Sequence, residues 1–411
     1  MRHTREFTGV AESPMVVIAT AAEAMPGSIK LCYGESDLPT PAFICEAADA
    51  ALKAGHTFYT HTAGYPELRE AIARKVHDLH GVTYRPSEIM STVGASMAIY
   101  AAIRAFVSRG DNAVIVSPAY AIFSNGVILA GGEPRPVALV REGVGFRLDL
   151  DRLRAAIDGN TRMVIVNSPS NPTGWMITVS EQQALIALAE RHDLVILADE
   201  VYERLVYDDT LEGLSPRVAP SFARVAGNRD RLVVVNSFSK TYNMTGWRLG
   251  WAQGSEATIK TMYQAVEFMT SNAAAMVQQA GIVALRDGEP HIRALRAHYA
   301  ARRSDVIGAL SSLPGLSLPE PQGAFYAFPR IAGMTDSTAF TTRLLRETGL
   351  ALAPGVGFGA AGEGYVRICF AARETTINEA LARFSGWLPR QEWPPRLGEP
   401  PRQGKPSRQA P

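Results

Sequence analysis

Residues 233–251 read VVVNSFSKTYNMTGWRLGW, and the rest of the chain is organised around this stretch. An apolar strand over residues 232–235 runs into a loop of hydroxyl side chains that holds Lys240, and Arg248 follows eight residues later. Side chains at the end of a buried strand can converge on a ligand. A solvated lysine is the alternative, because loops at strand ends are commonly polar. The surrounding sequence has to decide between these two interpretations.

Short strands rich in Val, Ile and Leu alternate with helices on the N-terminal side of this stretch. The predicted strands cover residues 89–93, 113–116, 163–166, 194–197 and 232–235. Continuous apolar strands of this kind are typical of a mostly parallel sheet that helices cover on both faces. The predicted fold class is therefore α/β, with a smaller α+β domain in the C-terminal part of the chain.

The length of 411 residues favours more than one domain. We expect the first forty residues to be irregular, and two long helices over residues 256–285 and 290–312. The predicted division has four parts: an N-terminal segment joining the small domain (1–44), a large cofactor-binding domain (45–289), a small C-terminal domain (290–390) and a disordered tail rich in Pro and Arg (391–411).

Composition excludes several classes of partner. Forty-one basic and forty acidic residues leave a formal charge of +1, which does not suit a nucleic-acid surface. Three widely spaced cysteines form neither a disulfide framework nor a metal site. No stretch is long and apolar enough to predict a signal peptide or a membrane span. We therefore expect a cytoplasmic protein with small-molecule substrates, and neither a metal, a membrane nor a nucleic acid as partner.

Polar residues that could bind an anion follow two of the predicted strands. A glycine-led turn at the start of a helix presents free N–H groups, and hydroxyls and a guanidinium add further donors. The candidates for this anion site are Gly94, Ala95, Ser96, Ser237, Ser239 and Arg248.

Four more residues at strand ends suit a flat, electron-withdrawing ring. Tyr120 could stack on a ring or simply pack, and Asn171 could bind a ligand or simply form a turn. Asp199 directly follows an apolar strand, where a carboxylate is costly unless it meets a cation or a strong donor. Tyr202 lies within one helical turn of it. Together with the anion site, these residues predict a pocket for a phosphorylated aromatic ring.

Three motifs carry a resemblance to a known family. NSPSNPTG (167–174), LADEVYERLVYD (197–208) and SFSKTYNMTGWRLGW (237–251) resemble, in order and spacing, the fold-type-I pyridoxal-phosphate enzymes, and specifically class I aminotransferases of the aspartate aminotransferase superfamily. The segments YGESDLPTP (33–41), YTHTAGYPELREAIA (59–73), GAFYAFPRI (323–331) and GEGYVRICFA (362–371) are similar to the substrate-facing segments of that family. The similarity extends from about residue 13 to residue 388.

The resemblance implies pyridoxal phosphate as cofactor and gives roles to the residues around its ring. Lys240 would bond to the cofactor aldehyde and then carry the proton between the substrate α-carbon and the cofactor. Asp199 would keep the pyridine nitrogen protonated, so that the ring withdraws electrons. Asn171 and Tyr202 would donate to the phenolate oxygen, and Tyr120 would lie on the ring face.

The resemblance also implies how the phosphate and the substrate are held. The phosphate would bind to the anion site named above. Arg367 would bind the substrate α-carboxylate in a bidentate manner beside Asn171, and Gly34 would approach that carboxylate through its backbone. Tyr59 would reach the phosphate of a neighbouring subunit, which implies a homodimer with composite sites. Residues 270–272 are expected to cross the same interface.

The predicted reaction moves an amino group from an L-amino acid to a 2-oxo acid by a ping-pong mechanism through pyridoxamine phosphate. Met15 is apolar where some acidic-substrate members of the family carry a hydroxyl, and no second Arg or Lys is evident for a distal carboxylate. We therefore expect neutral, aromatic or unusual amino acids rather than strictly dicarboxylic ones. A β-lyase, a cyclopropane-forming synthase and an oxidase on the same scaffold stay open as alternatives. A non-catalytic regulator is disfavoured, because every position that matches a catalytic residue of the family carries the residue that catalysis needs.

Overall fold

The computed structural model describes residues 4–10, 12–207, 217–227 and 229–391. The predicted disorder of residues 391–411 lies outside these ranges from residue 392 onward. The α-helices of the described chain are α1 Arg5–Thr8, α2 Pro14–Glu23, α3 Ala42–Lys53, α4 Pro66–His80, α5 Gly94–Phe106, α6 Ile122–Leu129, α7 Leu150–Ala155, α8 Val179–His192, α9 Phe222–Val225, α10 Phe238–Thr241, α11 Glu256–Met269, α12 Ala275–Asp287, α13 Glu289–Ser311, α14 Ser337–Thr348 and α15 Glu374–Trp387.

The strands are short, and those of the central sheet are the longest. They are β1 Ile29–Lys30, β2 Ile89–Thr92, β3 Asn112–Ser117, β4 Glu133–Ala138, β5 Val140–Glu142, β6 Gly145–Arg147, β7 Thr161–Asn167, β8 Val195–Asp199, β9 Leu232–Ser237, β10 Gly250–Gln253, β11 Leu316–Ser317, β12 Tyr326–Ala327, β13 Arg330–Ile331, β14 Leu350–Ala351, β15 Ala353–Pro354 and β16 Val366–Cys369.

Seven strands form the central sheet in the order β2-β10-β9-β8-β7-β3-β4. Strand β10 pairs antiparallel with both β2 and β9, and the remaining pairs are parallel. Strand β10, which follows Arg248 at the end of the opening stretch, is therefore the one reversed strand of this sheet. The α/β class and the mostly parallel sheet predicted from the sequence are confirmed.

Both faces of the sheet are buried, which explains the continuous apolar strands. In β3, Val114 and Val116 pack into one hydrophobic cluster with helices α3, α4 and α8, whereas Ala113 and Ile115 pack into another with α5 and α11. Successive side chains of a strand point to opposite faces, so a sheet with two covered faces needs an apolar residue at every position.

Three small sheets and helices α13 to α15 surround a second core near the C-terminus. Phe325, Phe340 and Phe384 are buried there, and Ile29 and Leu31 from the N-terminal segment pack into the same cluster. The N-terminal segment therefore contributes apolar side chains to this second core. The domain boundaries at residues 44, 289 and 390 stay predictions.

Two details differ from the sequence predictions. The first forty residues are not irregular throughout, because α2 lies there and buries Ile18, Ala19 and Ala22. The helix predicted over residues 256–285 is broken between α11 and α12. Ser271 lies in the left-handed region at φ +62°, and Asn272 uses its side chain to donate to the Ala273 carbonyl. Short polar side chains that bond to nearby backbone compete with helix formation.

The described residues contain no helix that is both long enough and apolar enough to cross a membrane.

Candidate active site

A cavity of about 820 Å³ lies at the carboxyl ends of the parallel strands. Most of the predicted site residues line it together: Gly34, Ala95, Ser96, Tyr120, Asn171, Asp199, Tyr202, Ser237, Ser239, Lys240, Arg248 and Arg367. Gly94 lies at its edge, beside the Arg248 guanidinium. Tyr59 lies outside it and is 90% exposed.

Strand register explains why residues far apart in sequence meet here. Asn167 pairs with Asp199 across β7 and β8, and Asp199 pairs with Val235 across β8 and β9. Ser237 ends β9 two residues later and pairs with Gly250. Parallel strands that end at the same edge of a sheet place their following residues around one crevice.

Lys240 projects from the short helix α10, which begins where β9 ends. Its Nζ donates to the backbone oxygen of Gly34 at 2.6 Å. Burial disfavours the charged ammonium and lowers the pKa of Lys240 to about 8. A substantial fraction of this amine is therefore neutral near pH 8, as a nucleophile or a base requires.

Asp199 is buried at the end of β8, and its Oδ1 accepts an N–H from Val201 at 3.2 Å. Asn167 donates its side-chain amide to the Asp199 backbone oxygen at 3.1 Å, which holds the strand end in place. Burial raises the pKa of Asp199 to about 7, against the opposing effect of the Lys240 charge. A cationic or strongly donating ligand group would favour the ionised form.

Tyr202 and Tyr326 form a pair of buried phenols whose hydroxyl oxygens are 2.7 Å apart. The Tyr326 hydroxyl occupies the space beside Gly34, where an added Cβ would lie 2.6 Å from it. The sequence analysis predicted that the Gly34 backbone approaches the substrate carboxylate, which the absence of a Cβ allows. That role stays a prediction, and the closeness of Tyr326 is a second reason for a glycine at this position.

Arg367 lies in β16 with its guanidinium between two aromatic rings. Its carbon Cζ is 4.6 Å from the ring centroid of Tyr326 and 4.9 Å from that of Phe358. Nη1 donates to Oδ1 of Asn171 at 2.9 Å, and Nη2 donates to the backbone oxygen of Cys32. Nε is buried and has no hydrogen-bond partner among the described residues. A buried guanidinium with a spare donor favours an anionic ligand such as a carboxylate.

The opposite end of the cavity carries the predicted anion site. Ser237 donates its hydroxyl to Oγ of Ser239 at 2.9 Å, and Gly94 begins α5 with φ +71°. An added Cβ on Gly94 would lie only 2.3 Å from Nη2 of Arg248. Arg248 itself adopts the left-handed region at φ +55°, a strained conformation of the kind that clusters at binding sites.

Three further predictions concern Tyr120, Tyr59 and residues 270–272. Tyr120 lines the cavity and is 40% exposed, so a face of its ring is free for a ligand. Tyr59 and residues 270–272 were expected to act across a subunit interface. A single chain does not test that expectation.

Sequence reasoning missed several residues of this cavity. Tyr326 stood inside a quoted substrate-facing segment, but no signal distinguished it from its aromatic neighbours. Asn167 begins the NSPSNPTG motif, and its Oδ1 accepts the Asn171 N–H at 2.7 Å, so the motif itself was the available signal. Of the apolar residues that α2 contributes, only Met15 was singled out, and Val16 and Ala19 were missed because that helix was not predicted.

The comparison with known families decides what this cavity belongs to. The sequence model of aminotransferase class I and II matches residues 26–384. The chain belongs to the class I and II aminotransferase family.

Named relatives agree with this assignment. The aminotransferase is 36% identical over 365 residues to the aspartate aminotransferase of Pyrococcus horikoshii, covering 88% of this chain and 91% of that one. It is 37% identical over 366 residues to aromatic-amino-acid aminotransferase 2 of Thermococcus litoralis, covering 88% and 92%. A mutant aspartate aminotransferase of Thermus thermophilus superposes with a TM-score of 0.86 at 34% identity, covering 94% of this chain and 100% of that one. None of these names supports the β-lyase, synthase or oxidase alternatives.

Aspartate-type members of the family depend on pyridoxal phosphate, and the cavity of the aminotransferase fits that group. It combines an amine of lowered pKa, a buried carboxylate of raised pKa, and a cluster of hydroxyls beside an arginine. These are the groups that an aldehyde, a pyridine nitrogen and a phosphate need, respectively.

Proposed function

We propose that the protein transfers an amino group from an L-amino acid to a 2-oxo acid by a ping-pong mechanism, with both substrates using the same cavity in turn. The observation that carries this proposal is the meeting of Lys240, Asp199 and Arg367 in one cavity. Bound pyridoxal phosphate supplies an aldehyde and an electron-withdrawing ring, which together make the α-hydrogen of an amino acid acidic.

Lys240 is the proposed proton carrier. Its amine, with a pKa lowered to about 8, can take a proton at Nζ from the substrate α-carbon and return one on the same face. Asp199 is proposed to hold the proton of the pyridine nitrogen, and Tyr202 and Asn171 to donate to the phenolate oxygen. Tyr120 is proposed to cover the ring.

Arg367 is the proposed anchor of the substrate α-carboxylate. Its Nε is free among the described residues, while Asn171 and the Cys32 carbonyl hold the other two nitrogens in place. Every amino acid and every 2-oxo acid has such a carboxylate, so one anchor serves both half-reactions. The Gly34 backbone is proposed to line the same subsite.

We propose that the phosphate is held by Gly94, Ala95, Ser96, Ser237, Ser239 and Arg248.

A homodimer is proposed to complete the site, with Tyr59 of one subunit reaching the phosphate of the other and residues 270–272 crossing the interface. The exposure of Tyr59 and its position outside its own cavity support this arrangement. A cytoplasmic location stays a prediction.

We propose that the substrate side chain is neutral or aromatic. Helices α2, α5 and α6 contribute apolar side chains to the cavity, together with the polar residues Thr20, Glu23 and Asn125. The apolar ones are Met15, Val16, Ile99, Tyr100, Ile122 and Leu129. Among the described residues, the basic groups that line the cavity are Lys240, Arg248 and Arg367, and each already has a proposed partner. A distal carboxylate would therefore meet no spare cation. The relatives carry both aspartate and aromatic amino acids in their names, so names alone do not decide the substrate.

A substrate screen tests this proposal. We expect the purified enzyme to turn over phenylalanine, methionine or alanine with a higher kcat/KM than aspartate or glutamate, with 2-oxo acids as acceptors. Formation of the 2-oxo product of the donor is the measurement. A strong preference for aspartate or glutamate as first donor would contradict the side-chain proposal.

Lys240→Ala tests the mechanism in the same assay. We expect it to lose about 10³-fold or more in kcat, because the proton carrier and the covalent anchor are both removed. Lys53→Ala, at a lysine whose side chain is 76% exposed, serves as the matched control and should keep normal activity. Full activity in Lys240→Ala would overturn the whole assignment.

A further inference from the structure

Tyr326 lines the cavity but was given no role in the sequence analysis. Its side chain is fully buried, and its hydroxyl lies 2.7 Å from that of Tyr202. The two rings meet edge-on, with centroids 5.7 Å apart. The contact is therefore a specific hydrogen bond between two phenols that both line the cavity.

The protonation of the pair limits what it can donate. Burial raises the pKa of Tyr202 and that of Tyr326 well above the ordinary value, so both are neutral phenols at working pH. Each neutral phenol carries one O–H. One of the two protons lies between the oxygens, and the other is left for a third group. The pair therefore offers a single proton to a ligand.

The neighbours of Tyr326 determine which of the two phenols offers that proton. The cation beside its ring is Arg367, whose guanidinium has donors and no acceptor. Among the residues that the structure describes, the acceptor within hydrogen-bond distance of the Tyr326 hydroxyl is Oη of Tyr202. Tyr202 follows Asp199 by three residues, and Nζ of Lys240 lies 5.9 Å from its ring centroid. With Tyr326 donating to this acceptor, the proton left for a third group is the one on Tyr202.

We propose that Tyr326 is a positioning residue: it donates to Tyr202 and so leaves the Tyr202 proton for the phenolate oxygen of the bound cofactor. Accepting a hydrogen bond also polarises the Tyr202 O–H and strengthens its own donation. Gly34 allows this arrangement, because a Cβ at position 34 would lie 2.6 Å from the Tyr326 hydroxyl and would displace it. This inference rests on the role proposed above for Tyr202.

The test is a pH titration of the cofactor-loaded enzyme, followed by its visible absorbance. The midpoint of the absorbance change is compared between the wild type and Tyr326→Phe. Weaker donation to the phenolate oxygen stabilises the deprotonated form of the bound cofactor less, so the midpoint should rise, by about half a unit to one unit. Tyr202→Phe removes the direct donor and should raise the midpoint further.

A double-mutant cycle separates an indirect effect from an independent one. If Tyr326 acts through Tyr202, the double variant Tyr202→Phe/Tyr326→Phe has the same midpoint as Tyr202→Phe alone. If the midpoint shifts of the two single variants add up in the double variant, the inference is contradicted. Tyr299→Phe is the matched control, since it removes another fully buried hydroxyl, one that donates to Asn243 at 3.3 Å, and should leave the midpoint unchanged.

The outcomes distinguish this inference from the proposed function. No shift in Tyr202→Phe would overturn the role of Tyr202 and this inference with it. A shift in Tyr202→Phe without one in Tyr326→Phe would overturn this inference alone. Urea unfolding of the cofactor-free variants checks that they fold. If Tyr326→Phe does not fold, Gly34→Ala, which displaces the Tyr326 hydroxyl, has to raise the midpoint, and an unchanged value would contradict the inference.

Discussion

Asp199 is a carboxylate whose ionisation opposes folding when no ligand is bound. The unfolded chain releases this proton near pH 4, whereas the folded protein keeps it to about pH 7. Between these values the folded state binds more protons than the unfolded state, so stability falls as the pH rises. The contribution is on the order of 2–4 kcal/mol, present below about pH 4 and lost by about pH 7.

We predict that Asp199→Asn removes this part of the pH dependence. The cofactor-free wild type should lose more unfolding free energy between pH 5 and pH 8 than the variant does, as measured by urea denaturation. Asp151→Asn, at an aspartate whose side chain is 92% exposed, should behave as the wild type. Equal losses in wild type and Asp199→Asn would show that Asp199 does not keep its proton in the folded protein.

Arg367 makes a prediction about substrate affinity. Lysine in its place keeps the charge but loses the planar guanidinium. That group donates to Asn171 and to the Cys32 carbonyl at the same time and still has Nε free for a substrate carboxylate. We expect Arg367→Lys to raise KM for the amino acid and for the 2-oxo acid by about 10-fold or more. Steady-state kinetics with both substrates is the measurement, with the 70% exposed Arg346→Lys as control. An increase in KM for only one of the two substrates would contradict a shared carboxylate anchor.

Helix α5 carries the prediction at the scale of an element. Its first residue, Gly94, has φ +71°, and its missing Cβ leaves room for the Arg248 guanidinium. Gly81 at the end of α4 has nearly the same φ of +69° but has no atom within 4 Å of an added Cβ. Alanine at either position pays the strain of the left-handed region, about 1–2 kcal/mol.

We predict that Gly94→Ala, but not Gly81→Ala, weakens cofactor binding. Both variants should lose similar stability in denaturant, while the dissociation constant of pyridoxal phosphate should rise only in Gly94→Ala, because its methyl group displaces Arg248. Fluorescence titration of the cofactor-free protein measures this constant. If both variants bind pyridoxal phosphate with the same affinity, the proposal that Arg248 and the α5 turn hold the phosphate is contradicted.

The elements themselves show what local sequence predicts well. Five of the seven strands of the central sheet were predicted to within about two residues, since an element buried on both faces leaves a continuous apolar run. Strands β4 and β10 were not predicted, and β4 is an edge strand that is only partly buried. Helix α2 was missed because its apolar residues do not mark one face, and Val16 and Val17 are exposed. The break between α11 and α12 was missed because helical periodicity continues on both sides of it.

At the scale of the whole molecule, the described residues include a group of large apolar side chains that are exposed in the single chain. Phe58 is 80% exposed, Tyr59 90% and Phe268 87%. The ring contact of His61 with Tyr263, at 5.4 Å, places the loop that carries the first two beside helix α11, which carries the third. Contiguous apolar exposure of this kind marks protein interaction sites.

We predict that Phe268→Asp weakens the proposed homodimer by about 10-fold or more, because it places a charge in an apolar interface. Val144→Asp is the matched control, since Val144 is also exposed, at 68%, but lies in the β5–β6 hairpin. Sedimentation equilibrium measures the dimer constant. A monomeric wild type, or an equal effect of the two variants, would contradict the proposed interface.

The sequence by itself determined the fold class and the cofactor, and it named most of the residues that line the cavity. These follow from local features, namely apolar strands, the polar residues after them, and motifs whose order and spacing match a family. Only the tertiary structure decided how those residues act on each other. Tyr202 and Tyr326 are 124 positions apart, Lys240 and Gly34 are 206 apart, and Arg367 and Cys32 are 335 apart. The pKa values of Lys240 and Asp199 depend on burial by the folded chain, and burial is a property that no local stretch contains.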